Sequence, residues 1–190
     1  MRTKDYYIKN DFSLFWGGPY SQWETYDIAV NGITFNCNEQ MMMYCKALVC
    51  GDKETADLVM AESDPREQKK LGRKVKNYSD ELWNEEVSMA VVYVANFAKF
   101  DQNEYCKNYL LNDPGKIIVE ASPSDTIWGI GLSADRPQAW NKNSWRGENR
   151  LGICITKVRE AIIAYPPIYD IEYHNKCCGI VFEIMKRGSK

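Results

Sequence analysis

The sequence predicts an α+β fold, predominantly helical, folded as a single compact domain with a small β hairpin or sheet. Three observations carry that expectation. Capping residues precede helix-forming runs at several points, and one Asn-Gly pair sits between two short β-rich runs. No internal repeat or low-complexity linker divides the 190 residues, a length that one hydrophobic core serves.

Taken in order, Tyr6 to Phe15 is apolar and aromatic, and Trp16-Gly17-Gly18-Pro19-Tyr20 breaks any regular structure. Asp27-Ile28-Ala29-Val30, Asn31-Gly32, Ile33-Thr34-Phe35 is a hairpin signal, because Asn-Gly suits a type I′ turn. Asn36 followed three residues later by Glu39 matches a capping box, so a helix starts with Asn36 as its cap and ends near Gly51. Asp52 to Ala61 reads as helix, and Asp64-Pro65-Arg66-Glu67 opens another that stops at Gly72. Ser79-Asp80 caps the longest helix, Glu81 to Lys99, with Leu82, Trp83, Val87, Val91, Val94 and Ala98 facing inward. Asn103 to Leu111 is a shorter helix, closed by Asn112-Asp113-Pro114-Gly115, and Lys116 to Ala121 reads as a strand. Ser122 to Asn149 is a long loop rich in Gly, Pro, Ser, Asn and Trp, of the kind that usually carries function. A helix from Leu151 to Ala164 follows, and Gly179-Ile180-Val181-Phe182-Glu183-Ile184 reads as an edge strand in the tail.

Composition narrows the function classes. A net charge of −2 weighs against a protein that coats duplex nucleic acid through its phosphates. Lys69, Lys70, Arg73, Lys74 and Lys76 crowd one segment, a solvated helix end or else a local basic patch. The seven cysteines are odd in number, irregularly spaced and without a C-x-x-C, so reduced thiols, several of them in the core, are expected. Cys177-Cys178 follow His174 without a second ligand cluster, and no metal is expected. No apolar run approaches a membrane span and no signal-peptide core follows Met1; a cytoplasmic protein is the expectation. With one histidine, His174, acid–base work falls to Asp and Glu, with Lys as a candidate nucleophile.

Within the first long helix, Glu39, Met42, Met43 and Lys46 fall at i, i+3, i+4 and i+7 and share one face. A carboxylate and an amine roughly 10 Å apart along a core-type face are costly to bury without a task. The alternatives are that Glu39 only closes the capping box and Lys46 snorkels to the surface. Asp125-Thr126-Ile127-Trp128-Gly129-Ile130-Gly131 combines a carboxylate, an indole and two glycines, a ligand edge or else a turn cap with a core Trp. Trp145-Arg146-Gly147-Glu148-Asn149-Arg150-Leu151-Gly152 leads into a helix N-terminus, an anion site or ordinary capping by Asn149. Ala98-Lys99-Phe100-Asp101-Gln102-Asn103 is a helix–helix corner from which Lys99 reaches a phosphate or water.

Several of these segments together resemble a known family. Glu39 to Ala47, Leu71-Gly72-Arg73, Trp83, Lys99-Phe100 with Asn103, Val119-Glu120-Ala121, Asp125 with Trp128-Gly129 and Gly131, and Asn149-Arg150-Leu151-Gly152 occur in the order and spacing of the NADAR family, named for NAD and ADP-ribose. The chain is similar in particular to the N-glycosidases that cleave riboflavin-pathway intermediates, and to relatives that remove ADP-ribose from guanine. The likeness covers about residues 12–162 of one domain, 1–190, with a C-terminal extension over about 165–190. Where the family often carries a Phe-x-Ser-Asn-Phe-like segment, this chain has Phe15-Trp16-Gly17-Gly18-Pro19-Tyr20.

The resemblance implies a single domain of the NADAR N-glycosidase type that hydrolyses a ribosyl C1′–N bond. The substrate would be a ribosyl phosphate or ADP-ribosyl adduct, either a small molecule or a modified guanine in nucleic acid. A non-catalytic module that binds ADP-ribose or an NAD derivative is the alternative. Glu39 would stabilise the oxocarbenium-like cation or orient water, and Asp125 would assist the leaving group or grip ribose hydroxyls. Lys46 would anchor a phosphate or attack C1′ to form a Schiff base. Trp83 and Trp128 would wall the pocket, Gly18, Gly129 and Gly131 would line it, and Arg73, Lys99, Asn103 and Asn149 would meet phosphate or ribose. No cofactor, membrane or obligate protein partner is expected.

Overall fold

The structure, a computed structural model, describes residues 6–9, 11–163 and 170–188. Strands β1 (Tyr6–Lys9) and β2 (Phe12–Phe15) form an antiparallel hairpin, and β5 (Ile117–Glu120) joins β2 in parallel, giving a sheet of order β1-β2-β5. Strands β3 (Ile28–Val30) and β4 (Ile33–Phe35) form the hairpin that Asn-Gly predicts, with Asn31 and Gly32 both at positive φ as a type I′ turn requires. Helices α1 (Asn38–Val49), α2 (Lys53–Ala61), α3 (Pro65–Gly72), α4 (Glu85–Gln102), α5 (Glu104–Leu111), α6 (Arg150–Ile163) and α7 (Ile171–Met185), with three short 3₁₀ segments, make up the rest of the regular structure among the described residues.

Helix α1 is the centre of the molecule. It packs against α2, α3, α4 and α7, and every residue of it except Lys46 is buried. The pleat divides the sheet's two faces. Phe15 and Ile118 join the main core with α1, α4 and α6, whereas Leu14, Val119 and Ala121 pack beneath Ile130, Leu132 and Ala139 of the long loop. Glu120 lies two residues beyond Ile118 on the strand and therefore projects to the α1 side, opposite Phe15 in the parallel register.

Four sequence expectations are corrected. Asn36 is not the cap of α1: Cys37 holds that position, its Sγ accepting from the Gln40 backbone N, while Gln40 Oε1 reaches back to accept from Asn36 N at 2.7 Å. The box thus forms one residue later and through Gln40, which leaves the Glu39 carboxylate out of the capping. Helix α4 begins at Glu85 rather than Glu81, because Asn84 Oδ1 accepts from Val87 N and the first turn carries Glu85 and Glu86, favourable to the dipole. Ser79 instead closes a single turn, accepting from Leu82 N through Oγ and from Trp83 N through its carbonyl, and Leu82 is exposed rather than inward.

The expected tail strand, Gly179 to Ile184, lies inside α7, capped by Asp170 through Tyr173 N. Cys177, Val181, Ile184 and Met185 are its buried residues, at i, i+4, i+7 and i+8, so helical spacing overrides the short β-rich window. All seven cysteines are free, six of them buried, as expected of core thiols. No described helix is long and apolar enough to cross a membrane.

A candidate active site at the start of the central helix

The first turn of α1 places Glu39 at the molecular interior with 3% of its surface exposed. Its backbone N donates to Gln22 O, and Trp23 Nε1 donates to Oε2 at 3.2 Å. The other oxygen, Oε1, is buried and has no hydrogen-bond partner. Burial pushes the Glu39 carboxyl above its ordinary range, against the opposing pull of Lys69, the Trp23 hydrogen bond and Arg73. The charge of Asp125 adds to the rise, so the carboxylate of the long loop is felt at the carboxylate of α1.

A third carboxyl joins them. Glu120 ends β5 with Oε2 buried and unpartnered, and burial, the Asp125 charge and the Glu39 charge raise it to about 7 while Lys69 opposes. Among the described residues, the buried side-chain atoms without a partner belong only to Gln22, Asn38, Glu39 and Glu120. A buried polar atom without a partner costs about 1–3 kcal/mol, so the gathering of these atoms around Glu39 singles out this region as the candidate site.

Cations face this acidic set. The basic run splits: Lys70 pairs with Glu67 and Lys76 with Glu54, but Lys69 stands 5.6 Å from the Trp23 ring centroid and, with Arg73, acts on Glu39. Lys46 is half-buried, its Nζ donating to Gly72 O at 2.9 Å and sitting 4.5 Å from the Tyr78 ring centroid. Burial lowers its pKa, with the neighbouring Glu39 charge opposing and that of Arg73 assisting. Gly72 permits this approach, since a Cβ there would overlap Met43 Sδ. The sequence stripe of Glu39, Met43 and Lys46 therefore leads along α1 to the end of α3.

Lys99 is fully buried, and its Nζ donates to Ser21 O at 2.9 Å, one residue before the Gln22 carbonyl that receives Glu39 N. Burial lowers it to about 8. A lysine depressed in this way stays charged in both states below pH 8. Above that the folded chain releases a proton that the unfolded chain still holds, so stability rises toward the unfolded value near 10.5. The thermal midpoint of the wild type is expected to gain between pH 8 and 9.5 relative to Lys99→Met, measured by calorimetry in matched buffers. A parallel pH dependence in the two proteins would contradict the assignment.

The long loop is tied shut by its own backbone. Gly131 N donates to Asp125 O, Arg146 N to Ile130 O, Glu148 N to Thr126 O and Asn149 N to Gly129 O. Two three-residue-per-turn segments, Pro137–Trp140 and Lys142–Ser144, lie between. Asp125 Oδ1 accepts from Ile127 N and Trp128 N and so shapes the turn beside Glu120. Gly129 fits where a Cβ would crowd the Glu120 carbonyl, and Gly131 holds φ +66. Trp128 and Trp83 are half-buried and pack on the main core.

The anion site expected at the start of α6 is not open. Arg150 N and Leu151 N donate to the carbonyls of Ile127 and Trp128, and Arg150 pairs with Glu85 and Glu148. Asn149 is 1% exposed and spends its carboxamide on β5, Oδ1 accepting from Glu120 N and Nδ2 donating to Ile118 O. Asn103 likewise caps α5 through Cys106 N. Gly18 opens the turn Gly18–Tyr20 at φ +67, which makes it a backbone requirement of that corner.

Sequence reasoning missed Trp23, Asn38, Lys69 and Glu120 as members of this site. Glu120 carried a signal as part of the Val119-Glu120-Ala121 segment, and Lys69 only as one of five clustered cations. A concavity between α4, α6 and α7 is lined by Tyr93, Lys157, Glu160, Ala161, Asp170 and Tyr173, none of which carries an unpartnered buried side-chain atom.

Comparison with known proteins agrees with the fold and spans the site. A family model described as the NADAR domain matches residues 5–163. Protein irg-1 of Caenorhabditis elegans is 41% identical over 132 residues, covering 68% of this chain but only 62% of that protein. N-glycosidase R617 of Acanthamoeba polyphaga mimivirus is 42% identical over 122 residues, 64% of this chain and 71% of its own length. The NMR structure of the E. coli protein YbiA superposes with a TM-score of 0.67 over 87% of this chain and 92% of that one, at 24% identity, which shows the fold.

Proposed function

The chain belongs to the NADAR family, and on that premise we propose that it is an N-glycosidase that hydrolyses the C1′–N bond of a ribosyl phosphate or ADP-ribosyl adduct. The single observation that carries this reading is the Glu39 carboxyl, buried, held by Trp23 and left with one unpartnered oxygen beside two further carboxyls and the cations Lys69 and Arg73. A C1′–N bond breaks through an oxocarbenium-like state that wants an oriented anion next to C1′. Glu39 supplies it from the first turn of a helix that is buried almost throughout, so its position is fixed before substrate arrives. Water then adds to C1′ as the base departs with a proton.

Lys69 and Arg73 flank the carboxyls and suit a phosphate or diphosphate. Lys46, whose pKa is lowered by burial, suits attack on C1′, displacing the base and forming an imine with the opened sugar that water later cleaves. Borohydride added during turnover is expected to fix a substrate-sized adduct on Lys46, read by peptide mass spectrometry. Active enzyme with no adduct would return Lys46 to phosphate anchoring.

Relatives named riboflavin biosynthesis protein PYRR in Arabidopsis thaliana and Zea mays favour a ribosylamino-pyrimidine phosphate as one substrate to try, beside an ADP-ribosylated guanine. Incubation with each substrate, followed by chromatography of the released base, tests the assignment. Tight binding without release from either would support the alternative, a module that recognises ADP-ribose or an NAD derivative.

A further inference from the structure

We infer that Glu120 delivers the proton taken up by the departing base nitrogen, an inference that rests on the N-glycosidase reading above. The strand places it. Ile118 and Glu120 share the face of β5 that meets the main core, and Asn149 Oδ1 pins the Glu120 backbone N at 2.9 Å. The side chain projects from a strand end held on both sides, by Phe15 in register on β2 and by Gly129 packed on its carbonyl. Its Oε2 is buried with no partner, and its carboxyl shares the field of Glu39, Asp125 and Lys69.

Two carboxyls with different environments can divide the labour of glycoside cleavage. Glu39 is the better placed to act as the anion at C1′, since Trp23 donates to it and both Lys69 and Arg73 draw it toward ionisation. Glu120 feels only Lys69 among those cations and two anionic neighbours, and is raised to about 7, so about half of it carries a proton at pH 7, and more below. Asp125 is less suited to donate, because its Oδ1 already accepts two backbone N–H groups to form the turn. In the cycle, the Glu120 proton passes to the base nitrogen as the C1′–N pair of electrons leaves with the base. Water adds to C1′, and the proton it sheds restores Glu120, so one water is consumed and one base released.

The test uses the full chain, Glu120→Gln and Glu120→Asp on two ribosyl 5-phosphates, one with an aminopyrimidine leaving group and one with p-nitrophenolate, which departs without a proton. Glu120→Gln is expected to lose at least about 100-fold in turnover on the pyrimidine and only a few-fold on the nitrophenyl substrate. The alkaline fall in wild-type turnover near pH 7 should vanish in Glu120→Gln and persist, at reduced rate, in Glu120→Asp. Equal losses on both substrates, or an unchanged pH profile in a folded Glu120→Gln, would overturn the assignment while leaving the N-glycosidase reading intact. A wild type inactive on every ribosyl and ADP-ribosyl substrate would overturn both.

Discussion

Glu39→Gln is expected to lower turnover of the accepted ribosyl substrate by at least about 100-fold, the scale for losing a positioned catalytic charge, with the fold intact. The substitution keeps the shape of the side chain and its acceptor for Trp23 Nε1, and it removes a buried charge whose Oε1 has no partner. The carboxyl of the wild type is raised by burial, so the folded chain holds its proton more tightly than the unfolded chain. Stability contributed by that group is therefore greatest in acid and declines as pH rises above the ordinary value near 4.5. The variant should lack this part of the decline, and its thermal midpoint at neutral pH should equal or exceed that of the wild type. Activity near wild type in a folded Glu39→Gln would mean that the carboxylate does no chemistry.

Gly152→Ala is expected to be the most damaging substitution for stability, at about 3 kcal/mol or more, or to abolish folding. Gly152 lies where α6 crosses β5, and a Cβ would overlap the carbonyl oxygen of Ile118 and both polar atoms of the Asn149 carboxamide. Backbone cannot yield there without moving the strand, and Asn149 cannot yield without giving up Glu120 N and Ile118 O. The damage should thus reach the site through the position of Glu120. Chemical denaturation of the soluble variant measures it; a loss below about 0.5 kcal/mol, the range of neutral surface changes, would show that α6 is free to shift.

Much of this architecture is legible in local chemistry. Asn31-Gly32 marks a hairpin, Asp52 and Asp64 cap the helices they precede, and the Glu39–Lys46 face of α1 is readable from helical spacing alone. What local chemistry hides is competition between neighbours. Cys37 and Asn36 both stand where a cap belongs, and the thiol prevails once Gln40 reaches back to Asn36. Asn84 likewise prevails over Ser79-Asp80, and α7 absorbs a window short enough to read as a strand.

The site is harder to read because its members meet only through tertiary structure. Glu120 stands alone between apolar residues in the sequence and gains its character from burial beside Glu39 and Asp125. Lys69 is one of five clustered cations in sequence, singled out only by the approach of α3 to Trp23. Asn149 and Asn103 show the converse: polar residues beside helix termini that suggest ligand contacts but hold backbone instead.

Base release in ¹⁸O-labelled water tests the central claim most directly. With wild-type enzyme, a ribosylamino-pyrimidine phosphate or an ADP-ribosylated guanine substrate should yield free base with label on the sugar at C1′, and Glu39→Gln should yield neither at a comparable rate. Saturable binding of both substrates with no base released, or label appearing only on phosphorus, would contradict it.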